Sequence, residues 1–290
     1  MKKIAILSIL VANFAFGSDV QWGHGTMELK GGFLGLNETI SGDVNTYSLV
    51  EEHKNLLGTN VFYGYNFTYF DSKKMKQLQK EYNAGASSAN SFVKKSGLDS
   101  KTIKIPEMEY RLQGVDAGVT LGYDLLHNSE DNYLGLGLYA GLSVPSIKSN
   151  KSNSSSKISD AIDLYKASKT DISTYKIGAG VYAQKSLTPF LSLYSNAIYA
   201  YQSGNIKNDY ARSDFDANGN YFEVGAGLKL SAKANMGILS PRVYGTIGWK
   251  YRKWQVDDVS IDISGGSLKA PKSNMQFSSN TFNLGFGYSF

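Results

Sequence analysis

The last ten residues read Thr281-Phe282-Asn283-Leu284-Gly285-Phe286-Gly287-Tyr288-Ser289-Phe290. Even positions are apolar and odd positions are small or polar. A period of two marks a strand with one apolar face. Chain ends are usually frayed and polar. An aromatic alternation carried to the final residue is expected instead of the closing strand of a transmembrane barrel, which meets lipid on one side only.

The opening residues agree. Lys2 and Lys3 precede an apolar run from Ile4 to Phe16 that only Ser8 and Asn13 interrupt. The run falls short of the roughly 20 apolar residues of a membrane-spanning helix. Ala15-Phe16-Gly17 places small residues where a signal peptidase reads them. Residues 1–17 are therefore expected to be a cleaved signal peptide, and 18–290 a single outer-membrane barrel domain. The chain has no Cys, so disulfides, thiolate metal sites and a lipid-modified N-terminus are excluded.

Removing 17 of 290 residues leaves 273. Mean hydropathy is slightly negative, as in soluble proteins. A barrel produces the same average, because only alternate residues meet lipid. Thirty Gly, twenty Tyr and fourteen Phe suit aromatic girdles around a crowded lumen. The formal charge of +5 falls to +3 without Lys2 and Lys3. That excess is too small and too scattered for a nucleic-acid partner.

Alternation recurs along the chain. Leu134, Leu136, Leu138, Ala140, Leu142 and Val144 oppose Tyr133, Gly135, Gly137, Tyr139, Gly141 and Ser143. Val115 to Leu125, Tyr175 to Val181, Phe222 to Leu230 and Val243 to Tyr251 behave likewise. Residues 60–70 and 190–202 also read as strands. Pro106, Pro145, Pro189, Pro241 and Pro271 fall at strand ends or in loops on this map, as a residue without an N–H should. Short and long connections alternate from residue 58 onward, which fits periplasmic turns and external loops. Eight strands follow directly. Residues 26–34 add a ninth, and an even count requires a partner, for which 44–52 is the candidate. The expectation is ten strands; the alternative is eight, with an N-terminal extension. Met75, Leu78, Gln79 and Tyr82, and again Ile158, Ala161, Ile162 and Tyr165, show helical spacing and predict short helices in the long external loops 71–110 and 145–172.

Nine charges oppose apolar faces: Glu28, Lys30, Asp116, Lys176, Glu223, Lys229, Arg242, Lys250 and Arg252. Facing lipid near the midplane, Lys or Arg would cost roughly 2–4 kcal/mol, so all nine are expected in the lumen. They either pair into a polar core or line a path for a small anionic solute. Charge reversal at Arg242 is expected to destabilise a packed barrel. Of the three His, His24 is placed at the start of the first strand, and His53 and His127 in periplasmic turns. No catalytic signature, metal-ligand set or phosphate-cradling loop is present, and no cofactor is expected.

These features resemble the small Gram-negative outer-membrane β-barrel proteins of the porin-like and opacity-like group. The resemblance rests on the leader, the alternating strands and Gly285-Phe286-Gly287-Tyr288-Ser289-Phe290. It implies a non-enzymatic barrel, porin-like or displaying loops to an extracellular partner. It also implies contact with outer-membrane lipid and lipopolysaccharide. Phe286, Tyr288 and Phe290 would be read by the barrel-assembly machinery. Barrel enzymes of this architecture, proteases or lipid A-modifying enzymes, are the alternative. They use a His with Asp or Ser near the external rim, where none of the three His maps.

Overall fold

The computed structural model describes residues 19–33, 36–54, 56–77, 80–83, 102–105, 108–126, 132–150, 169–208, 214–231, 242–263, 266–269 and 275–288. Fourteen strands occur in chain order: β1 (Asp19–Phe33), β2 (Leu36–His53), β3 (Val61–Ser72), β4 (Met75–Gln77), β5 (Lys80–Asn83), β6 (Thr102–Ile105), β7 (Met108–Asp124), β8 (Asn132–Asn150), β9 (Lys169–Thr188), β10 (Leu191–Asn208), β11 (Phe215–Ser231), β12 (Val243–Ile263), β13 (Gly266–Lys269) and β14 (Met275–Tyr288). Ten of them close an antiparallel barrel in the order β1, β2, β3, β7, β8, β9, β10, β11, β12, β14. The final strand pairs back onto the first, with Val20 opposite Phe286 and Trp22 opposite Leu284. Closure leaves the barrel without a free edge, so its backbone groups are satisfied between strands, as a bilayer demands. The extra segment that completes an even count is β2.

The connections after β2, β7, β9 and β11 lie at one end of the barrel, the turn end. Those after β1, β3, β8, β10 and β12 lie at the other, the loop end. It holds the two longest, 73–107 and 151–168, but also the two-residue step from β1 to β2. At the turn end, β9 and β10 are separated only by Pro189 and Phe190. The Thr188 hydroxyl accepts from the Leu191 N–H at 3.1 Å and braces this turn. Between β2 and β3, Gly58 adopts φ 75°, a left-handed conformation that a side chain would strain.

Two expectations need correction. Residues 75–77 and 80–83 are strand and not helix: β4 extends the barrel wall beside β7, and β5 pairs with β6. Residues 78 and 79 lie outside the described residues. The matching segment around residues 158–165 lies outside the described residues. Pro145 is not at a strand end either, because β8 runs through it to Asn150. The β8–β9 ladder skips there, passing from Ser143–Thr174 to Ser146–Asp171. The missing N–H therefore interrupts a pairing already broken.

Several strands are much longer than a bilayer needs; β9 has 20 residues and β12 has 21. About 9–11 tilted residues suffice. The surplus projects at the loop end, and the outer face shows where. Toward the turn end it is apolar, with Leu138, Tyr175 and Ile177 each at least 70% exposed. Higher up it turns polar, with Glu28, Lys30, Arg111, Lys148, Ser173 and Lys207 outward. The interior changes in the opposite sense. Beside the apolar belt it holds polar and aromatic groups. In the projecting half it is filled by Met27, Leu29, Val44, Met75, Leu112, Ile147, Ile172, Ile206 and Val256. The barrel is thus inside-out in its lower half and ordinary in its upper half.

Glycine and tyrosine fill the lower lumen together. The Tyr139 ring lies over Gly118, where an added Cβ would come within 2.4 Å of it. Tyr194 covers Gly227 and Gly248 in the same way. Gly118→Val is expected to displace Tyr139 and cost about 1–3 kcal/mol. Urea unfolding from lipid vesicles measures this.

Candidate functional site

Where the outer face changes character, the lumen is crossed by a layer of buried charges and rings. Arg252 on β12 donates through Nε to Glu223 Oε2 at 2.8 Å, and through Nη2 to Thr68 Oγ1 on β3 at 2.9 Å. The Tyr221 hydroxyl donates to Glu223 at 2.7 Å and the Asn196 amide at 3.0 Å. Lys176 Nζ lies 2.6 Å from Asp116 Oδ2, with both side chains wholly buried. The same ammonium sits 3.8 Å from the centre of the Tyr221 ring. Trp254 Nε1 donates to Asp116 Oδ2 at 3.1 Å and to Ser143 Oγ at 3.0 Å.

These contacts span the barrel. From β12 to β7 is five strands in a ring of ten, so the Trp254–Asp116 bond joins opposite walls. Phe70 and Tyr221 pack against Trp254, each ring centre 5.7 Å away. The apolar filling of the upper half covers the layer from above. Each buried charge has an opposite charge beside it. Asp116 and Glu223 also accept from further donors, Arg252 donates to Thr68, and Lys176 lies over the Tyr221 ring. Such pairing lets ions persist inside a protein.

Below the layer lies a cavity of about 670 Å³. It runs from Glu223 and Tyr139 to Lys54, Pro189 and Arg242 at the turn end. Its walls carry both signs, with Glu51 and Glu52 facing a space shared with Lys229 and Lys250. Lys54 reaches across the barrel to Gln184 at 3.2 Å. The side chains divide the lumen into a vestibule at the turn end and a packed seal above it.

The nine charges expected in the lumen separate into three groups. Asp116, Lys176, Glu223 and Arg252 form the layer. Lys229, Lys250 and Arg242 line the vestibule, with Arg242 exposed at its rim. Glu28 and Lys30 are a correction: they point outward from β1 and pair with each other at 3.2 Å, both more than 40% exposed. They stand above the apolar belt, where water replaces lipid, so the penalty that argued for the lumen does not apply. Arg252, buried against Glu223, is better placed for a stabilising role than Arg242 at the exposed rim. Arg242→Glu is expected to change unfolding free energy by less than about 1 kcal/mol, as for exposed ion pairs; urea titration is the check.

Sequence reasoning missed Trp254, Tyr221, Tyr139 and Thr68, which complete the layer. The signal was present: on β12 the outward apolar residues Ile247, Trp249 and Tyr251 are odd, and the inward Trp254 and Val256 are even. Of the histidines, His24 lies on the outer wall, 2.9 Å from Asn45 Oδ1. His53 is at the turn end beside Glu51. His127 lies outside the described residues. Among the described residues no group of three or more His, Asp or Glu is placed to hold a metal ion. At the closing strand, Phe286 points outward. Tyr288 pairs with Val243. Phe290 lies outside the described residues.

No family model matches the chain, and no curated protein matches it. Solved structures do. The outer membrane protease OmpT from Escherichia coli superposes with a TM-score of 0.55 at 11% identity, over 95% of this chain and 97% of that one. A major outer membrane protein from Thermus thermophilus gives 0.36 at 14% identity, over 94% and 98%. The attachment invasion locus protein Ail of Yersinia pestis gives 0.29 at 10% identity, over 94% and 99%. At such identities only the first likeness carries weight, and it establishes the fold alone: a closed antiparallel β-barrel of the kind found in outer-membrane proteins.

Proposed function

We propose that the chain is a non-enzymatic barrel resident in the bacterial outer membrane, with a sealed lumen, acting as a surface-displayed interaction protein. The observation that carries this reading is the buried layer of Asp116, Lys176, Glu223, Arg252 and Trp254 that bridges opposite walls under an apolar core. A diffusion pore needs a continuous wet path, and these side chains occupy it. The projecting half of the barrel leads into the connections at residues 73–107 and 151–168, which this reading assigns to an extracellular partner. Removal of residues 1–17 on export and insertion by the barrel-assembly machinery belong to the same reading.

The placement of His24 and His53, away from the loop-end interior, supports a non-enzymatic role. So does the filling of that interior by Met27, Val44, Leu112 and Ile172. The likeness to a protease is a likeness of fold, and function lives in sites rather than folds.

The test is solute retention. Liposomes containing the folded barrel should hold a small anionic dye as long as protein-free liposomes do. Efflux that scales with the amount of folded barrel would overturn the sealed reading. Barrel-dependent turnover of a peptide or lipid ester in the same preparation would overturn the non-enzymatic one.

A further inference from the structure

The outer wall carries a second feature, unconnected with the lumen. Tyr199 on β10, Phe222 on β11 and Lys253 on β12 are consecutive cross-strand partners, and all three point outward. With Asn220 and Gln255 they border a cleft of about 270 Å³. The cleft lies where the belt ends: Trp249 and Tyr251 are beneath Lys253 on β12, and Gln255 and Asp257 are above it.

Lys253 differs from most of the outward cations. Among the described residues it shares its lack of an ion pair with Lys76, Lys148 and Lys185, but it is less exposed than they are. Lys30, Lys73, Lys74, Arg111, Lys169 and Lys207 each lie beside a carboxylate. Lys253 is half-buried and has no ion pair or hydrogen bond among the described residues. A second donor adjoins it. The Tyr199 hydroxyl donates to Asn220 Oδ1 at 3.0 Å, which uses the amide oxygen and leaves the NH₂ group to donate. The Asp257 carboxylate above is held by the Gln255 amide at 2.6 Å. An ammonium and an amide above an aromatic wall match a phosphate with hydrocarbon beneath it.

We propose that this cleft is a headgroup site for a phosphate-bearing lipid of the loop-end leaflet. The phosphate lies between Lys253 Nζ and the Asn220 amide. The acyl chains run down the belt over Phe222, Val224 and Trp249. A lipid is assigned rather than a free anion because the lower lip of the cleft is continuous with the apolar belt. The site depends on the barrel lying in a bilayer, and not on what the loops bind.

Native mass spectrometry of the folded full barrel, released from detergent micelles, tests this with three probes: phosphatidate, phosphatidylcholine and inorganic phosphate. A one-to-one phosphatidate adduct is expected. Lys253→Gln should weaken it about five-fold, the effect of one lysine near a charged lipid surface. Lys30→Gln, which alters a cation already paired with Glu28, should leave it unchanged. Equal phosphatidate binding by wild type and Lys253→Gln overturns the site. Complete displacement by an equal concentration of inorganic phosphate overturns the lipid assignment. Should Lys253→Gln fail to fold, as judged by loss of heat-modifiable mobility, Lys253→Arg must retain the lipid and Asn220→Leu must lose it.

Discussion

Glu223→Leu is expected to lower the unfolding free energy by about 3–5 kcal/mol, the range for a buried pair that loses one partner. The cause is what remains. Arg252 is 2% exposed and its closest carboxylate contact is Glu223 at 2.8 Å. Without it the guanidinium stays buried with Thr68 as its remaining hydrogen-bond partner. Lys250, whose Nζ lies 3.9 Å from Glu223, loses an opposite charge as well. The double variant Glu223→Leu/Arg252→Met should recover most of the loss, since replacing both members of a buried pair with apolar residues is often neutral or better. Urea unfolding of the parent, Glu223→Leu, Arg252→Met and the double variant in one vesicle composition measures the cycle. A single variant as stable as the parent would mean that water reaches Arg252, which a sealed layer forbids.

The second large effect is at Trp254. Trp254→Ala should cost about 3–5 kcal/mol, the usual range for removing a buried large aromatic. The ring packs between Phe70 and Tyr221, and its N–H joins β12 to Asp116 on the opposite wall. Trp254→Phe keeps most of the packing and loses the donor, so about 1–2 kcal/mol is expected. Equal losses for Ala and Phe would show that the hydrogen bond, and not the packing, supports the layer.

Much of this fold was legible because a barrel writes itself as a period of two. Alternation located the wall strands, and the need for an even count pointed to β2. What alternation cannot say is which face is which. On β1, Trp22 points outward and Met27 inward, so the apolar phase reverses between them. On β9 it reverses between Ile172, which is buried, and Tyr175, which is exposed. Each reversal marks the level where lipid gives way to water outside and the lumen changes from polar to apolar inside. Taking the apolar face of residues 26–34 as the lipid face put Glu28 and Lys30 in the lumen.

The spurious helix has a related origin. Met75, Leu78, Gln79 and Tyr82 have helical spacing over only two turns, and so short a helix nucleates poorly in isolation. The upper part of β7 offered an unpaired ladder, and Met75 takes it by pairing with Tyr110 and turning its side chain into the core. At the candidate site, the charges on β7, β9, β11 and β12 were visible in sequence. Their pairing was not. Asp116 meets Lys176 from two strands away and Trp254 from five, and barrel geometry alone sets such distances.

Single-channel recording is the most direct test of the sealed lumen. The mature chain, refolded and shown by heat-modifiable mobility to be inserted, would be placed in a planar lipid bilayer under an applied voltage. The account predicts a silent bilayer. Stable, reproducible conductance steps from the folded barrel would contradict it.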